Sequence, residues 1–173
     1  VRLSRESNEG SVTEVIKGAV ISPCGRYRYQ LARNWPGTGG TVCFVMLNPS
    51  TADASLDDPT IRRCIGFSRR LGGAKLLVVN LFAYRSTDPA ALVSQEDPEG
   101  EDNQHWIDLS VKGAERVIAG WGVLKAPLPN SIRRRIERLR SSADKIWCLG
   151  KTKEGHPRHP LYVKSDQALE EWS

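Results

Sequence analysis

Two asparagines and a histidine, each at a corner of the chain, are the residues best placed to act on a ligand. Asn48 follows a β-branched and apolar run over residues 41–47, and Pro49 and Ser50 come directly after it. Proline has no backbone donor and cannot continue a central strand, so Asn48 is expected just past a strand's carboxyl end. Asn80 closes a second apolar run, residues 74–80. His159 lies in a late basic segment, residues 150–163, that holds two of the three histidines and two His-Pro steps. Proline restricts the residue before it, which suits a loop that must present a side chain in one orientation. An asparagine amide is neutral and offers a donor and an acceptor together. Asp53, Asp57 and Asp58 lie near the first corner and read as charges at a helix start. A competing reading joins them to the two late histidines in a metal-dependent phosphohydrolase, which requires the carboxylates to converge within ~4–5 Å.

The elements that must carry these residues follow from the pattern of apolar runs. Residues 18–22 and 27–33 alternate as strands of a hairpin turning at Pro23-Cys24-Gly25, and the second is expected to pair antiparallel with residues 41–47. Asp57-Asp58-Pro59-Thr60 predicts a helix start that runs through Ile61, Cys64, Ile65, Phe67 and Ser68 to Gly72-Gly73. Residues 81–89 are expected to fold over the strand ends. Helical spacing of Trp106 and Leu109 predicts a helix over 102–113, then a strand over 116–119 that ends at Gly120-Trp121-Gly122. Pro129 or Asn130 is expected to cap a basic helix over 131–140, with Arg133, Arg134 and Arg135 on a solvated face. A last strand is expected over 145–149. The fold class expected is α/β: three layers, α/β/α, around a four-stranded parallel sheet (42–47, 76–80, 116–119 and 146–149) with an N-terminal antiparallel hairpin. In such sheets ligands bind at the carboxyl ends of the strands.

Composition narrows the classes. The chain has 173 residues, 39% hydrophobic and 26% charged, which fits a single soluble domain. Residues 1–10 are polar and expected to be loose. No apolar run approaches the ~20 residues of a membrane span, and the N-terminus lacks a signal peptide's apolar core, so a cytoplasmic protein is expected. Cys24, Cys43, Cys64 and Cys148 form no C-x-x-C pair, which argues against a zinc or iron-sulfur site; no metal or other cofactor is expected. Cys64, on a helix interior, reads as core. A net charge of +5 is compatible with a polyanionic partner.

Five stretches carry a family resemblance: F-V-M-L-N-P-S-T-A-D from Phe44, D-D-P-T-I-R-R-C from Asp57, N-L-F-A-Y-R from Asn80, W-G at Trp121, and C-L-G-K-T-K-x-G-x-P-R-H-P-L-Y from Cys148. From about Tyr27 onward the chain resembles the bacterial domain-of-unknown-function family numbered 1643, a label without an activity. More distantly, Asn48-Pro49, Asn80, Trp121-Gly122 and His159-Pro160 are similar in order to the strand-end motifs of the uracil-DNA glycosylase superfamily. That second resemblance implies a glycosylase-like fold and hydrolysis of an N-glycosidic bond in nucleic acid or a nucleotide. It makes Asn48 and His159 the catalytic pair: Asn48 orients a water, and His159 donates to the base oxygen as charge develops. Asn80 reads a base edge, and Phe82 or Tyr84 stacks on the base. Met46, Leu47, Pro49, Ser50, Asp53, Arg85, Trp121 and Gly122 complete the substrate-binding set. Lys151, Lys153, Arg158 and Lys164 are expected to contact phosphates. The expected partner is DNA or RNA, or a free nucleotide or nucleobase. The alternative is a non-catalytic nucleic-acid or nucleotide-binding module that keeps the fold and the basic loops. The structural roles open to the asparagines are a cap on the following turn for Asn48 and the satisfaction of loop amides for Asn80. The sequence departs from the superfamily pattern at Met46, where a glycine is expected, and at Leu161-Tyr162, where the late loop lacks its serine-rich continuation.

Overall fold

The sequence alternates short β-branched runs with amphipathic stretches. The computed structural model, which describes residues 15–50, 55–124 and 129–172, folds them as follows. The strands are β1 (Ile16–Ile21), β2 (Arg28–Asn34), β3 (Thr41–Met46), β4 (Lys75–Asn80), β5 (Arg116–Ala119), β6 (Ile146–Cys148) and β7 (Glu170–Glu171). The helices are α1 (Pro59–Arg70), α2 (Asn103–Lys112) and α3 (Asn130–Ser142), with short 3₁₀ segments at Pro89–Ser94 and Pro160–Tyr162. The expected residues 1–10 lie outside the described residues.

The protein is α/β, but its sheet is larger than expected. Seven strands of mixed direction run in the order β1-β2-β4-β3-β5-β6-β7. Within it β4, β3, β5 and β6 pair parallel, β1 and β2 extend one edge antiparallel, and the two-residue β7 pairs antiparallel with β6 on the other. β7 was not expected because Glu170 and Glu171 carry no β-type pattern; pairing with Trp147 and Cys148, and the Lys145–Glu171 ion pair at 2.7 Å, set it beside β6. β2 pairs with β4 and not with β3. The reason is the crossovers: the connections through α1 and α2 set β4 and β5 parallel along the two edges of β3, which leaves β2 the free edge of β4.

Chain passage from β2 to β3 therefore has to step past the start of β4, and glycines make room for it. Trp35 N–H donates to Ala74 O at 3.1 Å, and Ala74 N–H to Gly40 O at 3.0 Å, so the two loops lie in contact. A Cβ on Gly39 would sit 1.8 Å from Gly72 O. Gly39→Ala should accordingly cost about 3 kcal/mol, the upper end of an overpacked site, because backbone and not a flexible side chain blocks the methyl. Urea unfolding of the variant measures this; a midpoint equal to the parent's would contradict the crossing.

Side chains of the sheet alternate between two clusters. Val42, Phe44, Met46, Leu76 and Val78 pack with Ile61, Cys64 and Phe67 of α1. Cys43, Val45, Leu77 and Val79 pack with Ile107 and Val111 of α2 and Ile136 and Leu139 of α3. Burial pushes the Cys64 thiol up, in keeping with a core residue. α1 begins as its Asp-Pro sequence predicts: Asp58 is the N-cap and its Oδ1 accepts from Ile61 N–H at 2.7 Å. Two expectations on the other helices need correction. α2 buries Asn103, Ile107, Ser110 and Val111, while Leu109 is 52% exposed, since the inward face is offset by one position from the Trp106–Leu109 stripe. Arg135 is not solvated but 3% exposed, its Nε donating to Leu81 O and its Nη1 to Gln104 Oε1, both at 2.8 Å, with Glu99 beside it. Arg133 and Arg134 are exposed as expected, Arg134 pairing with Glu99. Among the described residues no helix is long and apolar enough to cross a membrane.

Candidate functional site

Because β3, β4, β5 and β6 run parallel, their carboxyl ends share one edge of the sheet, and Asn48, Asn80, Trp121 and the segment after β6 emerge there. They border a cavity of about 650 Å³, within the range of small-molecule sites.

Asn48 is fixed from one end. Its Nδ2 donates to Ser86 O at 2.8 Å and Pro49 O at 3.3 Å, tying the first corner to the loop after β4. Among the described residues its Oδ1 has no partner, and the residue lines the cavity. Asn80 is 1% exposed, and its Nδ2 is buried without an acceptor among the described residues. The strand end that carries it is clamped from behind: Asn103 Nδ2 donates to Asn80 O and Leu81 O, each at 3.1 Å, and Arg135 Nε also reaches Leu81 O. Both clamping residues escaped the sequence reading, since polar positions on amphipathic helices look solvated unless their tertiary partners are known.

The Trp121-Gly122 corner and the His159-Pro160 loop are built against each other. Gly122 N–H donates to Pro157 O at 3.0 Å, and Gly122, at φ 81°, leaves only 3.2 Å between a notional Cβ and His159 Cβ. A side chain there would be strained and would also push the histidine. Arg63 of α1 holds the loop from beneath, its guanidinium donating to Pro160 O at 3.2 Å and to Val163 O. Trp121 packs edge-on to Trp172 at 4.9 Å, and its buried indole N–H has no partner among the described residues.

His159 is held in one tautomer. Leu161 N–H donates to its Nδ1 at 3.2 Å, so in the neutral ring the proton sits on Nε2. Burial lowers its pKa below the usual 6.5, and the nearby Asp58 carboxylate opposes that shift. At neutral pH the side chain is thus an uncharged donor. Its depressed pKa adds stability that is complete above the unfolded value and is lost as pH falls through the folded one. The ring Cε1–H resonance of His159 should titrate below 6.5, and Asp58→Asn should lower that midpoint further. A midpoint above 6.5 would contradict the burial argument.

Three charged residues share the cavity wall, Arg28, Asp58 and the exposed Arg158. Arg28, 2% exposed, has its pKa lowered to about 10 by burial, with Asp58 opposing and Arg85 and Arg33 adding to the shift; it stays a cation at neutral pH. Asp58 accepts from Ser50 Oγ at 2.6 Å through Oδ2 while Oδ1 caps α1.

Of the residues expected from sequence, Asn48, Asn80, His159, Met46, Leu47, Ser50, Trp121, Gly122 and Arg158 line the cavity. Arg28, Ser86, Thr87, Thr152 and Tyr162 line it as well and were not foreseen as ligand-facing. Asp58, read from sequence as a helix-start charge or a carboxylate of the phosphohydrolase reading, also lines it. Phe82 and Tyr84 do not line the cavity: Phe82 is 2% exposed in the core beside α2 and α3, and Tyr84 packs edge-on to Tyr27. The exposed aromatic at the cavity is Tyr162, at 74%. Pro49 and Arg85 also lie off the cavity, Arg85 Nη1 donating to Gly25 O at 3.1 Å to hold the β1–β2 turn. Lys151, Lys153 and Lys164 are exposed outside it, and Asp53 lies outside the described residues. Of the carboxylates in the phosphohydrolase reading, Asp58 lines the cavity, whereas Asp57 does not and pairs with Arg33 Nε at 2.7 Å and Lys17 Nζ at 3.3 Å. Among the described residues no three His, Cys, Asp or Glu side chains converge as a metal site would require.

Neither the curated proteins nor the solved structures provide a match to the chain. A family model does match over residues 28–161, and the chain therefore belongs to the family described as protein of unknown function, DUF1643.

Proposed function

We propose that the cavity receives a nucleobase and that the protein hydrolyses an N-glycosidic bond, as the resemblance to the uracil-DNA glycosylase superfamily implies. The observation that carries the reading is that Asn48, Asn80, Trp121 and His159, spread over more than half the chain, line one cavity at the carboxyl edge of the sheet. Breaking the bond builds positive charge on the sugar and negative charge on the departing base. The neutral His159 Nε2–H is the kind of donor that strengthens toward a base oxygen as that charge develops, with no proton transfer needed. Asn48 Oδ1 supplies an acceptor for a water O–H, and Asn80 Nδ2 an unused donor for a base edge. Tyr162 at the mouth takes the stacking role that the sequence assigned to Phe82 or Tyr84.

Incubating the protein with single-stranded and mismatched oligonucleotides carrying deaminated or modified bases, then cleaving abasic sites with alkali, tests the activity directly. One observation favours a second reading, the binding module: Met46, 4% exposed, occupies the inner wall where a small residue would let a base approach closely. Ligand binding without base release is its signature.

If Lys151, Lys153, Arg158 and Lys164 face phosphates, affinity for an oligonucleotide should fall steeply with salt. The log–log slope expected on duplex is about 0.9 per phosphate contact, and somewhat less on single strands. Filter binding at several salt concentrations measures it. Binding that is salt-insensitive or absent points instead to a free nucleotide or nucleobase.

A further inference from the structure

The glycosidase reading leaves a chemical gap, because an amide such as Asn48 positions water but is a poor base. We propose that the carboxylate of Asp58 fills it, taking the proton of the attacking water; the proposal rests on the glycosidase reading above.

Asp58 is the only carboxylate among the described residues that line the cavity. It shares that wall with Asn48, Ser50 and His159, and its charge is felt at the His159 ring. Among the described residues each of its oxygens accepts one hydrogen bond, from Ile61 N–H at 2.7 Å and Ser50 Oγ at 2.6 Å. A carboxylate has about four lone-pair positions, so both bonds fix its orientation and still leave acceptor capacity for a water. The buried Arg28 guanidinium lines the same wall and offers the site a fixed positive neighbour. Asp57, one residue earlier, is withdrawn into its pair with Arg33, so the two adjacent aspartates have separate work.

The step balances. Water's oxygen forms the bond to the sugar's anomeric carbon as the carbon–nitrogen bond breaks, and that bond's electron pair leaves with the base. His159 Nε2–H stabilises the resulting anion by hydrogen bonding. Water's proton passes to Asp58 and from there to the departed base, which leaves neutral and returns the carboxylate to its ionised state.

The test uses the full chain on an oligonucleotide that the wild type cleaves. Asp58→Asn keeps an oxygen to cap α1 and removes the charge; kcat should fall roughly 10²- to 10⁴-fold, the span of a lost general base, with KM held. Asp58→Gly costs a helix cap only a few tenths of a kcal/mol and opens space where formate can stand in for the side chain. Added formate should restore turnover to this variant and not to Asn48→Ala, a result that a purely capping role would not give. If the wild type cleaves and Asp58→Asn cleaves as fast, or if formate does nothing for Asp58→Gly, the Asp58 role is overturned while the glycosidase reading stands. If the wild type releases no base, both are overturned.

Discussion

Asp57→Ala should destabilise the protein by about 3–5 kcal/mol, the usual consequence of stranding one member of a buried ion pair. Arg33 is 0% exposed; its Nε donates to Asp57 Oδ1 at 2.7 Å and its Nη1 to Ala32 O at 2.8 Å. Removing the carboxylate leaves the guanidinium buried without its counter-charge, and Lys17 Nζ, 3.3 Å from the same carboxylate, adds a second cation to the unbalanced site. Replacing Arg33 by Met in the same chain should recover much of the loss, because an apolar side chain of similar length needs no partner. Chemical denaturation of the two single variants and the double variant gives the coupling directly. Equal and additive effects would contradict the pairing. Turnover per folded molecule should be unchanged in Asp57→Ala, since the residue does not line the cavity.

His159→Ala and Asn48→Ala should each lower kcat/KM by roughly ten-fold to a thousand-fold, the range for losing an oriented donor or acceptor at a reacting centre. The two differ in what else they disturb. Asn48 Nδ2 bonds to Ser86 O, so its loss also loosens the join between the two loops and should cost ~1 kcal/mol of stability. His159 packs on Gly122 and Tyr162, and its Nδ1 accepts a single backbone N–H, so its replacement mainly removes the Nε2 donor. A His159→Gln variant, which can still donate, should retain more activity than His159→Ala. Steady-state kinetics on one substrate ranks the three, and equal rates for Gln and Ala would remove the donor role.

The parts of this fold legible from sequence were those fixed by local chemistry. The Asp58-Pro59 start of α1 and the runs that became β3, β4 and β5 follow from capping and from continuous apolar stretches. What the sequence hid was set by partners distant along the chain. β2 found β4 because β4 and β5 hold both edges of β3, a strand order no local pattern carries. Arg135, in a run of three arginines, reads as solvated until Leu81 O and Gln104 are seen against it. The same limit shaped the site: residues at strand ends could be grouped by the parallel topology alone, whereas Arg28 enters from an antiparallel strand whose start happens to reach that edge. Phe82 was drawn toward the cavity by its place after Asn80, yet it turns into the opposite cluster.

The most direct test of the central claim is base release in water enriched in heavy oxygen. Wild-type protein would be incubated with oligonucleotides bearing deaminated or modified bases, and both products weighed by mass spectrometry. The account predicts a free base without label and an abasic strand with heavy oxygen at the anomeric carbon, formed far more slowly by His159→Ala. The absence of any released base across the panel would contradict it.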